Sequence, residues 1–315
     1  MKRFGIAITA GDPCGIGPEV IAKALPGMRR IRDAVFFIFA SEMVLLKAGF
    51  RPQPNVMVMD CSRGRKLFMP GKPDIESAAA SFDYLNLAVS FIKNGDARAL
   101  VTGPVSKEGL KKASFSWPGH TEFLAEVFGS RRVEMVFVSG VLKVALLTRH
   151  IPLNKVNKFI NEENIIGCGS VILNLLRTHF ARRSPKIGVC GFNPHAGEAG
   201  LFGNEEIRSI APAINKLNKK FGKTFFGPLP ADTVFRRAVG GEFDMVMAMY
   251  HDQGLIPFKL IEFSNGVNLT AGLGFIRTSP VHGTAFDIAS KNIADPGSMR
   301  AAIELAYDLT KKHRS

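Results

Sequence analysis

The sequence predicts an α/β protein, a mostly parallel sheet flanked by helices, on three observations. Apolar runs of strand length alternate with segments of helical period. The 315 residues are 46% hydrophobic and 22% charged, too apolar for a disordered chain. At roughly 100–200 residues per domain this length forms one large or two medium domains, and no Ser/Pro-rich tether interrupts it, so any two domains are joined by continuous elements.

The first apolar run, Phe4–Thr9, reads as a strand, because Gly11, Asp12 and Pro13 break it too early for a secretory signal. A glycine-rich turn then opens a helix over Pro18–Leu25, with Pro18 suited to a first helical position. Strands are predicted at Ala34–Phe39 and Asn55–Met59, a helix at Ile75–Asn94 and a strand at Ala99–Thr102. Helices at Ser106–Ala113 and Thr121–Phe128 precede strands at Val133–Val138 and Lys143–Thr148. Helix Asn161–His179, strand Lys186–Cys190, helices Asn204–Phe221 and Pro230–Val239 and strand Met245–Met249 follow. The last helix, Gly297–Lys312, ends on Lys311 and Lys312, which complement its dipole.

Composition narrows the function. Cys14, Cys61, Cys168 and Cys190 are far apart and form neither a CxxC pair nor a disulfide framework, so reduced thiols in a cytoplasmic protein are expected. No apolar run approaches the roughly 20 residues of a membrane span; Lys143 interrupts even Met135–Thr148. The formal charge of +14 invites a nucleic-acid reading. Its scatter in pairs such as Lys111-Lys112 and Lys219-Lys220, near helix ends, argues for solvated and dipole-complementing residues instead. A basic cleft for a small anion remains open.

Two glycine-rich stretches fail the nucleotide-binding patterns. Gly11–Glu19 has the wrong spacing for the dinucleotide fingerprint, leaving a tight strand-to-helix turn or a ligand contact. Gly222-Lys223-Thr224 lacks the earlier glycine of a P-loop. The histidines are more informative. Three of the seven, His150, His195 and His251, close apolar strands, where ligands sit in open α/β sheets. Imidazole suits zinc and other transition metals, and three protein ligands leave a position for substrate or water. Each alone reads as a hydrogen-bonded loop residue; their recurrence points to a metal site. Polar clusters in loop-like settings surround them, at Gly119–Glu122, Asn193–Glu198, Tyr250–Gly254 and Phe275–Ser279. Lys259, Asn268 and Arg277 are the groups suited to a phosphate or carboxylate.

At these clusters the chain resembles the 4-hydroxythreonine-4-phosphate dehydrogenase family, PdxA. The likeness is carried by TAGDPCGIGPE (Thr9–Glu19), VTGPVSKEGL (Val101–Leu110), PGHTEFLAE (Pro118–Glu126), LLTRHIPL (Leu146–Leu153) and GFNPHAGEAGLFGNEEI (Gly191–Ile207). GPLPADTVF (Gly227–Phe235), AMYHDQGLIPFK (Ala248–Lys259) and GVNLTAGLGFIRTSPVHGTAFDIA (Gly266–Ala289) extend it almost end to end. The resemblance implies two α/β/α domains with a cleft, similar to isocitrate and isopropylmalate dehydrogenases. Residues 118–273 would be inserted between the halves, 1–117 and 274–315, of a discontinuous terminal domain, and would carry most metal and substrate ligands. It also implies a homodimer whose subunits share one divalent cation (zinc, magnesium or cobalt) on His150, His195 and His251, and substrate contacts at His120, Thr121, Lys259, Asn268 and Arg277.

A shorter stretch, Pro280–Ala289, is similar to the segment by which the decarboxylating dehydrogenases hold the adenosine of their cofactor, which makes His282 and Asp287 cofactor contacts. Val281 and Asp295 depart from the related patterns. An Asp287 carboxylate at the ribose would favour NAD over NADP. The activity implied is metal-assisted oxidation of 4-phosphohydroxy-L-threonine at C3 by NAD or NADP, then decarboxylation to 3-amino-1-hydroxyacetone phosphate, in vitamin B6 biosynthesis. The general base stays open among Lys107, Asp252 and Lys259. The nearest rival substrate is a phosphorylated sugar acid, threonate or erythronate 4-phosphate. A metal-dependent phosphate-ester hydrolase or lyase, and a non-catalytic phosphometabolite binder, are rivals from other classes, but neither needs an adenosine pocket. The expected partners are a small phosphorylated anion and a second copy of the chain, with no nucleic acid and no membrane.

Overall fold

The computed structural model describes residues 3–62 and 68–312, among which the chain forms eleven strands and ten α-helices. It divides into two compact units: the described residues of Met1–Ser130, Ser264–Asn268 and Leu273–Ser315, and a second of Arg131–Phe263 with Leu269–Gly272. The division passes through the strand β10 (Val267–Ala271) and follows the helix α5 (His120–Val127), later than the boundary at 118 drawn from sequence.

In the first unit β1 (Phe4–Thr9) is buried at every position and pairs in parallel with both β2 (Ala34–Ala40) and β4 (Ala99–Thr102). β3 (Val56–Asp60) extends the β2 side and β11 (Ile276–Pro280) the β4 side, giving the order β3-β2-β1-β4-β11, all parallel. Strands buried on both faces read as continuous apolar runs, which is why β1 and β4 are legible in the sequence. Helix α3 (Ile75–Lys93) packs on β1, β2 and β4, and starts at a reciprocal cap in which Asp74 accepts from the Ser77 amide while Ser77 accepts from that of Asp74. Helix α10 (Gly297–Lys312) packs on β4, β11 and α1 (Gly17–Ala24).

The glycine-rich stretch is a close backbone crossing. Gly11 has φ +72°, and a β-carbon there would lie on the Pro104 carbonyl oxygen, so the loop after β1 and the loop after β4 touch main chain to main chain. The sequence missed α2 (Glu42–Lys47), which is only six residues long.

The second unit has the order β5-β6-β9-β7-β8. β5 (Glu134–Val138) and β6 (Lys143–Leu146) form an antiparallel hairpin, the exception to an otherwise parallel set; β6 pairs in parallel with β9 (Met245–Ala248), β9 with β7 (Ile187–Cys190) and β7 with β8 (Phe225–Leu229). α6 (Glu162–Thr178) is capped by Asn161, which accepts from the Asn164 amide. It packs on β5 and on α7 (Ala211–Phe221); α8 (Ala231–Val239) packs on β7 and β9. The helix predicted over Asn204–Phe221 enters through a π-helical turn at Glu206–Ile210.

Tyr250–Gly254, read as a loop, opens the helix α9 (His251–Ile261). Gly254 and Pro257 look like breakers, but a β-carbon at residue 254 would come within 2.8 Å of Leu146, so glycine lets α9 lie close on β6. Basic pairs do fall in last helical turns, at Lys111-Lys112 of α4 (Lys107–Lys112), Lys219-Lys220, Arg236-Arg237 and Lys311-Lys312. No described helix is long and apolar enough to cross a membrane.

Candidate active site

Arg277 lies on β11, in parallel register opposite Leu100 of β4, and not in a loop as its polar neighbours suggested. It is 5% exposed, and its Nη2 donates to the Thr102 hydroxyl of β4 at 2.7 Å. Burial pulls this guanidinium down to about 10, partly offset by the Glu122 carboxylate. His120 and Thr121 begin α5 and are both buried. The His120 Nε2 atom is buried without a hydrogen-bond partner. Its imidazole is pushed down to about 3, first by burial and then by the positive charges of Arg277 and Lys107, so it is neutral at pH 7. Lys107 itself is exposed at the start of α4.

Two cations and a neutral, unsatisfied imidazole suit an anion with several oxygen acceptors. A lysine or arginine near a surface is normally solvated, whereas the Arg277 guanidinium is buried within the sheet. Packed beside His120 is an aromatic group absent from the sequence reading. Phe115 lies 6.4 Å from His120 and 5.2 Å from Trp117, and Trp117 lies 4.9 Å from Phe123, ring centroid to centroid. Trp117 Nε1 donates to Glu126 at 2.8 Å. The Phe-Ser-Trp spacing just before Gly119-His120 was the available signal. Asn268 of β10 is half-buried, and its Oδ1 is buried without a partner.

The segment carrying His282 and Asp287 is irregular and joined to the glycine-rich turn, a link that sequence could not show. The Ile16 amide donates to Thr284 O at 2.9 Å. Lys23 Nζ donates to Asn292 O and Ala294 O, and Glu19 accepts from both Lys23 and the Ala294 amide. His282 is half-buried, with Nδ1 3.1 Å from Gly283 O; its Nε2 is buried without a partner, and burial lowers its pKa. Asp287 is exposed, while Asp295 accepts from the Gly297 amide at the start of α10.

In the second unit the three strand-end histidines take different settings. His150 follows β6 and His251 opens α9 after β9, and their ring centroids are 5.7 Å apart. His251 Nδ1 and Asp252 Oδ1 are 2.7 Å apart. Lys259 lies exposed in the last turn of α9. His195 follows β7 in a turn, Pro194–Gly200, whose residues His195 to Ala199 are all left-handed, with φ of 52°, 54°, 80°, 40° and 54°. Four of these five are not glycine, at a cost of about 1–2 kcal/mol each. Among the described residues of this one chain no three His, Cys, Asp or Glu side chains form a metal cluster.

Comparison with known proteins shows an enzyme of the dehydrogenase class on this α/β scaffold. The chain belongs to the PdxA family: the family model described as pyridoxal phosphate biosynthetic protein PdxA matches residues 28–306. The 4-hydroxythreonine-4-phosphate dehydrogenase of Desulforapulum autotrophicum is 39% identical, covering 97% of this chain and 95% of its own. The D-threonate 4-phosphate dehydrogenase of Pectobacterium atrosepticum is 40% identical, covering 96% and 98%. Among solved structures, a 4-hydroxythreonine-4-phosphate dehydrogenase from Klebsiella pneumoniae superposes with a TM-score of 0.85 at 38% identity, covering 98% of each chain. An isocitrate dehydrogenase from Methylococcus capsulatus, 15% identical with a TM-score of 0.53 and covering 99% of this chain and 87% of its own, shares the fold alone.

Proposed function

We propose that the protein oxidises 4-phosphohydroxy-L-threonine at C3 with NAD, with decarboxylation to 3-amino-1-hydroxyacetone phosphate, in vitamin B6 biosynthesis. The observation that carries this reading is the buried Arg277–His120 pair, a cationic guanidinium beside an unsatisfied neutral imidazole. Arg277 and His120, with Thr121, Lys107 and Asn268, bind and orient the phosphorylated acid. By the family resemblance Lys259 is a further substrate contact, a point charge suited to a phosphate or carboxylate. When bound, a divalent cation would be held by His150, His251 and His195 and would supply Lewis acidity, and NAD would supply the hydride-accepting chemistry. Asp252 fixes the tautomer of His251, which favours Lys107 or Lys259 over Asp252 as the proton acceptor. His282 and Asp287 hold the adenosine end, and Asp287 favours NAD over NADP.

The active form is a homodimer in which one subunit's His195 completes the other's imidazole pair. Support comes from large apolar side chains exposed on the elements that carry these histidines: Leu153, Leu201, Ile256, Leu260 and Phe263. A second reading, D-threonate 4-phosphate as substrate, is favoured by relatives of that name at the same level of identity. The two acids differ at C2, amine against hydroxyl. Purified protein with a divalent cation, NAD and each acid in turn tests both: NADH and CO2 should form fastest with phosphohydroxythreonine and stop with chelator. A higher kcat/KM on threonate 4-phosphate selects the second reading, and no NADH from either acid refutes both.

A further inference from the structure

We propose that Glu206 is a positioning residue for His195: its buried carboxylate holds the left-handed turn Pro194–Gly200 in the shape that presents the imidazole beyond β7. Its consequence for cation binding rests on the reading of His195 as a metal ligand; its structural part does not.

Glu206 is 3% exposed and stands at the first position of the π-helical turn before α7. Its Oε1 accepts the Phe192 and Asn193 amides at 2.7 and 2.8 Å, and its Oε2 accepts Asn193 Nδ2 at 3.0 Å. Asn193 Nδ2 also donates to Glu205 at 2.7 Å. The turn wraps this carboxylate closely: a β-carbon at Gly197, where φ is +80°, would lie 2.6 Å from Oε2, and one at Gly191 3.2 Å from Oε1. Consecutive left-handed non-glycine residues persist only where the surroundings over-determine them. Three donors gathered onto one buried carboxylate, from the two residues that lead into Pro194 and His195, supply that constraint.

A second contact ties the turn to the other histidines. Gln253 Nε2 donates to the Gly191 carbonyl at 2.8 Å while its Oε1 accepts the Met249 amide at 2.7 Å. The turn bearing His195 is thereby registered against the first turn of α9, which carries His251. A widened helical turn places Glu206 inside this network, and such turns recur at functional sites.

Glu206→Gln keeps the size but sets an amide donor against Asn193 Nδ2. Asn193→Ser is the milder variant, removing one donor only. Hydrogen exchange read by mass spectrometry should show residues 191–203 exchanging at least about tenfold faster in both variants, with the rest of the unit unchanged. Calorimetric titration with Co2+ alone should show about 10–100-fold weaker binding, the range for lost outer partners of metal ligands. Wild-type exchange across 191–203 in both variants overturns the proposal, as does uniformly raised exchange over the whole unit, which would mark Glu206 as general scaffolding. His195→Ala is the control for the metal reading. Co2+ affinity unchanged in that variant refutes the metal reading, while the exchange result still decides the role of Glu206.

Discussion

His120 should make the protein sensitive to mild acid, by an amount that follows from its surroundings. The imidazole is 7% exposed, and burial together with Arg277 and Lys107 keeps it neutral down to about pH 3, whereas its ordinary value is 6.5. Between those values the unfolded chain binds a proton that the folded chain refuses. Stability from this site is therefore complete above pH 6.5 and is lost as pH falls. From pH 6.5 to pH 4, at about 1.36 kcal/mol per pH unit, His120 alone removes about 3 kcal/mol, a large share of a typical stability of about 5–15 kcal/mol. Urea unfolding at pH 7 and pH 4, followed by the fluorescence of the sole tryptophan, Trp117, measures the loss in wild type and in His120→Gln. Any packing cost of glutamine is present at both pH values and cancels. Wild type should lose about 3 kcal/mol more than the variant. Equal losses would show that His120 accepts a proton in the folded protein, and would refute the picture of a neutral imidazole beside a buried guanidinium.

Three further outcomes follow from the site. Arg277→Met should lower kcat/KM by at least about thirtyfold, and Arg277→Lys should not restore it, because an ammonium lacks the fork that reaches both Thr102 and an anion; NADH formation measures both. Asp287→Ser should shift the NAD:NADP ratio of kcat/KM toward NADP by about fivefold or more, the effect of removing about 1 kcal/mol of repulsion from a 2′-phosphate; an unchanged ratio removes Asp287 from the cofactor site. A thiol reagent at pH 8 on the folded protein should label Cys61 ahead of the other three cysteines. Burial raises the thiol of Cys14 to about 11 and raises those of Cys168 and Cys190 as well; rapid labelling of Cys168 or Cys190 would contradict their burial.

The elements legible in the sequence were those whose local pattern and tertiary fate agree. β1 and β4 are buried on both faces, so their apolar runs are unbroken, and Asp74 and Asn161 mark their helix starts through side-chain caps. Those misread owe their structure to packing: α9 tolerates Gly254 because glycine lets it lie against β6, and Arg277 is a strand residue because the β11 backbone pairs with β4, which also offers its guanidinium the Thr102 hydroxyl.

Chemistry by residue type, then, was written in the chain: histidines ending strands, a guanidinium among apolar neighbours, glycines where main chains cross. Tertiary structure alone decided that Arg277 is buried beside a neutral His120, that the glycine-rich turn is bonded to the His282 segment through the Ile16 amide and Thr284 carbonyl, and that Glu206 sits inside the His195 turn. The physical reason is the same in each case. Burial, charge proximity and hydrogen bonding between residues far apart in sequence depend on where the chain returns, and local periodicity carries no information about that return.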